Sequence, residues 1–144
     1  MKTKVLFVCI HNSARSQMAE ELLRKIGGDN FEVESAGLEP GTLNPFVIEA
    51  LKEKGIDITG KKTQAVFDLF KAGRNYHYVI AVCDGASAEK CPIFPGLYER
   101  IHWSFTDPSQ FDGTPEQKLE KVRAVRDEIE DKLIEWLGEL SAKK

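Results

Sequence analysis

The chain has 144 residues, 42% hydrophobic and 30% charged, with a formal net charge of −3 at pH 7. This is one domain's worth of chain with enough apolar residues to bury a core, and its slightly acidic balance argues against a general nucleic-acid or anionic-membrane surface. No apolar run approaches a membrane span or a signal-peptide core, and the three cysteines are too few and odd in number for a disulfide framework, so a single cytosolic, monomeric domain over residues 1–144 is expected.

The first predicted element is a strand over Lys4–Cys9. Val5, Leu6, Phe7 and Val8 are apolar without alternation, the pattern of a parallel strand covered on both faces. A polar loop, Ile10 to Ala14, follows. From Arg15 to Ile26 the residues Met18, Ala19, Leu22, Leu23 and Ile26 recur at helical spacing as an inner face, with Glu20, Glu21, Arg24 and Lys25 outside. Gly27-Gly28 supplies a left-handed stop. Phe31–Ala36 alternates and reads as a more exposed strand, and Gly37–Gly41 as a loop. Asn44-Pro45 opens a second helix, with Asn as N-cap and Pro in the first helical position. Its inner face is Phe46, Val47, Ala50 and Leu51, and Gly55 ends it. Thr63–Phe70 reads as a short helix with Phe67 and Phe70 inward.

Tyr76–Cys83 is the second apolar strand, and like the first it ends on a cysteine. Asp84–Lys90 has helix-forming residues and is broken at Cys91-Pro92. Glu99–Trp103 is a short last strand, followed by a polar loop, Thr106–Gly113, that contains Asp107-Pro108. The final helix opens with a capping box: Thr114 is N-cap, Pro115 first in the helix and Gln117 in the third position. Leu119, Val122, Val125, Ile129, Leu133, Trp136, Leu137 and Leu140 form its apolar stripe. Strands alternating with helices predict an α/β fold: a four-stranded parallel sheet with right-handed crossovers and helices on both faces. Ligands of such sheets bind at the strands' carboxyl ends, where Cys9 and Cys83 both fall.

Cys9, the loop and Arg15 converge on one kind of chemistry. The first N–H groups of a helix lack internal partners, and the helix dipole makes that end positive, so anions bind there. A guanidinium adds two parallel donors that a lysine could not copy. A free thiol ionises at about pH 8.5, and the same positive environment lowers that value. One site would therefore bind an oxyanion and activate a nucleophile beneath it. No Cys-x-x-Cys or His-x-x-x-His spacing suggests zinc.

The stretch Cys9-Ile10-His11-Asn12-Ser13-Ala14-Arg15-Ser16 resembles the C-x5-R-S phosphate loop of the low-molecular-weight protein tyrosine phosphatases, a fold shared with the thioredoxin-coupled arsenate reductases. The extension Ser16-Gln17-Met18-Ala19-Glu20 is more similar to the reductases. The phosphatases usually carry a second cysteine inside the loop, where this chain has Ala14, and tyrosines after the acid-loop aspartate, where it has Ser109-Gln110-Phe111. The resemblance covers nearly the whole chain. It implies that residues 10–16 bind arsenate or phosphate, that Cys9 attacks, that Arg15 holds the oxyanion and that Asp107 is the general acid.

It also implies a relay in which Cys83 attacks Cys9, Cys91 attacks Cys83, and thioredoxin or a similar thiol donor reduces the Cys83–Cys91 disulfide, with no cofactor. One departure is the spacing Cys83-x7-Cys91, a residue longer than usual. If the intervening segment were helical, the two cysteines would stand about 12 Å apart, so their pairing implies unwinding and a mobile segment from Cys83 to Gly96. Asn12 fits a left-handed turn in the loop, and the Ser16 hydroxyl can donate to the Cys9 thiolate. Some related reductases bind potassium beside the loop. Asn12, Glu20 and Ser35 resemble three of its ligands, but Ala65 stands where the fourth, a carboxylate, belongs, and no metal site is expected. The alternatives to a reductase are a phosphatase working through a Cys9 phosphoenzyme and an oxyanion-sensing or partner-binding module.

Overall fold

A computed structural model describes residues 2–12, 14–39, 41–82, 96–106 and 112–142, with the backbone alone for 96–100. The expected helix over Asp84–Lys90 and the mobile segment from Cys83 lie outside the described residues.

The central strand is β1, Thr3–Cys9. It pairs in parallel with β2, Phe31–Gly37, from Thr3↔Phe31 to Cys9↔Gly37, and on its other side with β3, Tyr76–Ala81, from Val5↔Tyr78 to Val8↔Ala81. Next to β3 runs β4, Gly96–His102, also parallel, so the strand order is β2-β1-β3-β4. The unbroken apolar run of β1 follows from this position: Val5, Leu6 and Phe7 are wholly buried, with one side chain in each pair on either face. Val5, Phe7 and Cys9 join Val33, Ile80, Val82 and Trp103 on the face covered by the three longer helices. Leu6 and Val8 join Ala36, Tyr76 and Val79 on the other face, against Val66 and Leu69.

Helix α1, Arg15–Gly27, buries Met18, Ala19, Leu22 and Leu23 as the pattern requires, and Gly28 follows it at φ 59°. Two expectations fail on this helix. Ile26 is exposed rather than inward. Glu20 is not on the outer face but 3% exposed, drawn in by a hydroxyl and two cations.

Helix α2, Pro45–Lys52, has the expected cap, with the Phe46 N–H donating to Asn44 Oδ1 at 2.9 Å. Helix α3 is shorter than predicted, Val66–Lys71, and its facing is reversed. Val66 and Leu69 are buried, while Phe67 and Phe70 are 64% and 61% exposed. Only six residues long, the helix can turn one i, i+3 pair toward the sheet, and the smaller pair, Val66 and Leu69, is the one buried.

The long α4, Pro115–Ala142, starts with the predicted capping box: Gln117 N–H donates to Thr114 Oγ1, and Thr114 N–H to Gln117 Oε1. Its stripe is inward, with Ile129 and Leu133 wholly buried. Trp136 meets Trp103 and Tyr78 edge-on, with ring centroids 5.9 and 5.2 Å apart. An ionic clamp ties α4 to the end of α2. Arg123 embraces both oxygens of Glu53, and the largely buried Arg126 bonds Glu53 and the Ala50 carbonyl. Among the described residues, no helix is long and apolar enough to cross a membrane.

Candidate active site

β1 and α1 place Cys9 and Arg15 at the carboxyl edge of the sheet, with the loop between them. The next strand fixes that loop. Cys9, Ile10 and His11 carbonyls accept from the N–H groups of Leu38, Glu39 and Gly41 at 2.8–3.1 Å, so the chain leaving β2 runs alongside the loop and sets its peptide planes. Gly37 makes this approach possible. A Cβ there would lie 2.7 Å from the Asn12 nitrogen and the Ile10 oxygen, which are backbone atoms unable to yield.

Within the loop Asn12 stands at φ 54°, as expected, a turn Asn tolerates better than most residues. That turn aims its N–H at Cys9 Sγ, 3.0 Å away. Ser16 Oγ lies 2.9 Å from the same sulfur. The direction of the second bond follows from the neighbours. Gln64 N–H, which can only donate, points at Asn12 Oδ1 at 3.0 Å, so Asn12 Nδ2 must face the two hydroxyls, Ser16 at 2.8 Å and Ser35 at 2.9 Å. Ser16 therefore accepts from Asn12 and has its own proton to give to the sulfur. Two hydrogen-bond partners on a buried sulfur fix its position and aim its remaining lone pair.

Arg15 is the first residue of α1 and is buried, with one guanidinium nitrogen donating to the Phe105 carbonyl at 3.1 Å. This contact ties it to the chain leaving β4, which continues toward Asp107. Ala14, at the N-cap, has no side chain able to cap the helix, and the first turn holds no acidic residue. The positive end of α1 is thus left to whatever anion the loop receives. Ile10 is partly buried, and His11 is exposed with its ring near the Glu39 carbonyl. Ser13, Cys83, Cys91 and Asp107 lie outside the described residues. What is described on their side is that Val82 N–H donates to Val8 O, so the strand leading to Cys83 runs beside β1.

The residues do not suit potassium. Both oxygens of Glu20 are engaged, Oε1 by the Ser35 hydroxyl at 2.6 Å and Oε2 by Lys61 and Arg24 at 2.8 and 2.6 Å, and position 65 is alanine. Among the described residues, no group of three His, Cys, Asp or Glu side chains could hold a metal. Gly37, Lys61 and Gln64 support the loop from a distance in sequence, and no local pattern marks them.

A profile of the family described as low molecular weight phosphotyrosine protein phosphatase matches residues 4–144. The chain is 41% identical over 138 residues to an arsenate reductase of Bacillus subtilis, covering 94% of this chain and 96% of that protein. Among solved structures, an arsenate reductase from Archaeoglobus fulgidus superposes with a TM-score of 0.73 at 29% identity, covering 93% of this chain and 98% of the other. A thioredoxin-dependent arsenate reductase of Corynebacterium glutamicum gives 0.60 at 29% identity, covering 92% of this chain and 62% of that one.

Proposed function

The chain belongs to the low molecular weight phosphotyrosine protein phosphatase family, and within it we propose an arsenate reductase that uses three thiols in sequence. The observation that carries the chemistry is the Cys9 sulfur, buried at the start of α1 and held by the Asn12 N–H and Ser16 hydroxyl. The relatives named arsenate reductase support the substrate, and the thioredoxin-dependent neighbour supports the class of reductant.

Arsenate enters the loop and is held by loop N–H groups and the Arg15 guanidinium. Cys9 attacks arsenic, an S–As bond forms, and an oxygen leaves as water after protonation by Asp107. Cys83 then attacks the Cys9 sulfur. The S–As bond breaks, its electron pair stays on arsenic, and As(V) becomes As(III) as two thiols become one disulfide. Cys91 displaces Cys9 from Cys83, and the resulting Cys83–Cys91 disulfide is reduced by thioredoxin or a related dithiol.

The test is arsenate-dependent NADPH oxidation in the presence of thioredoxin and its reductase, run beside hydrolysis of an aryl phosphate. Turnover with arsenate, abolished in Cys83→Ser and Cys91→Ser, is expected. Aryl phosphate hydrolysis without arsenate turnover, indifferent to both substitutions, would make the protein a phosphatase instead.

A further inference from the structure

Glu20 presents a physical problem. It is a carboxylate 3% exposed in the second turn of α1, and burial of a charge requires compensation. Part comes from Arg24 on the same helix. The rest comes from Lys61, in the segment leading to α3, whose ammonium lies 2.8 Å from both Glu20 Oε2 and Glu21 Oε1. Arg24 is half-exposed and reaches only the neighbouring β2, donating to the Val33 carbonyl at 2.8 Å, whereas Lys61 joins α1 to the segment leading to α3.

That part of the chain matters because both of its ends lead to Asn12. Through Glu20, Lys61 acts on Ser35: the Ser35 hydroxyl donates its hydrogen bond to the carboxylate and so accepts from Asn12 Nδ2. Through the backbone, Lys61 anchors the segment carrying Gln64, whose N–H donates to Asn12 Oδ1 and whose side chain donates to the Ser35 carbonyl at 2.7 Å. The two routes grip opposite ends of one amide. The orientation of that amide decides whether Ser16 gives its proton to Cys9.

We propose that Lys61 is a positioning residue for the Cys9 nucleophile, a built-in cation whose bridge to Glu20 and Glu21 fixes the orientation of Asn12 and thereby the hydrogen bond from Ser16 to the sulfur. The inference rests on Cys9 being the nucleophile and does not depend on which oxyanion it attacks.

The experiment measures the rate of Cys9 alkylation by iodoacetamide at pH 7, resolved by peptide mass spectrometry, in the wild type and in Lys61→Met, Lys61→Arg and Lys61→Ala. Lys61→Met should alkylate roughly tenfold more slowly, the loss expected when one hydrogen bond to a charged group is misaligned. Lys61→Arg should stay within about threefold of the wild type, since it restores the cation. In Lys61→Ala, ammonium chloride should restore the rate and tetramethylammonium chloride should not, because only the small ion with N–H donors can bridge two carboxylates. A wild-type rate in Lys61→Met would overturn the proposal. So would a loss in Lys61→Ala that ammonium leaves unchanged, which is the outcome expected of a purely structural residue or an unfolded variant. Arsenate turnover is read in parallel: a slowed Cys9 with no arsenate reduction in any form would refute the reductase and leave the role of Lys61 standing.

Discussion

Ser16 shows how much of the site rests on the direction of one proton. The position was legible, because the C-x5-R-S pattern puts a hydroxyl directly after the loop arginine, seven residues from the cysteine. The direction was not, since it depends on Gln64, 52 residues from Asn12, and on Glu20, 15 residues from Ser35. Glu20 was itself misread, because an acid in an amphipathic helix looks like surface until its partners are known. Ser16→Ala removes the donor while leaving the Asn12 N–H on the sulfur. Its expected effect is a fall in kcat/KM for arsenate of roughly 10- to 100-fold, from a hydrogen bond to a charged group of about 1.5–3 kcal/mol. KM should change less than kcat, since the lost bond is to the nucleophile and not to the substrate. A variant that weakens KM alone would place Ser16 on the oxyanion instead.

At the scale of elements, the ends of helices were easier to read than their faces. The α2 cap at Asn44 and the α4 box at Thr114 are local chemistry, and both form as expected. The facing of α3 depends on the groove that the sheet offers, which a six-residue pattern does not reveal. The clamp between α2 and α4 was equally hidden, since its partners are 70 residues apart. It carries a pH signature. Hydrogen bonds from Arg123, and then from Arg126, hold the Glu53 carboxyl below the usual carboxylate range. A group lowered in the folded state contributes stability above its unfolded value and loses it as pH falls through its folded value. Glu53→Gln should therefore lower Tm by about 2 to 4 °C at neutral pH, as expected for a solvent-screened ion pair. The difference should be constant down to about pH 5 and then close as acid protonates the wild-type carboxyl. A difference that persists unchanged at pH 3 would assign the effect to packing and not to charge.

At the scale of the whole molecule, the two covers of the sheet are unequal. Among the described residues, one face carries α1, α2 and α4 with the aromatic contacts of Trp103 and Trp136, while the other is covered by α3 through Val66 and Leu69. Local opening free energies follow buried apolar contact, so α3 should open far more often than α1. Yet the site cannot tolerate that opening spreading backward. Gln64 N–H holds Asn12, and the Gln64 carbonyl accepts from Gly37 N–H at 2.9 Å, with Ala65 bridged to Gly37. These bonds belong to the loop and to β2, not to α3, so the boundary of the mobile unit should fall at Ala65. Amide hydrogen exchange resolved by residue tests this. The amides of Phe70, Lys71 and Ala72 should exchange at least about 100-fold faster than those of Leu22 and Leu23 in α1, a gap of about 2.7 kcal/mol. Gly37 and Gln64 should be protected to the level of α1. If Gln64 instead exchanges with α3, that support of Asn12 opens with the helix, and the loop is held by β2 and by Gln17 of α1, whose side chain donates to Asn12.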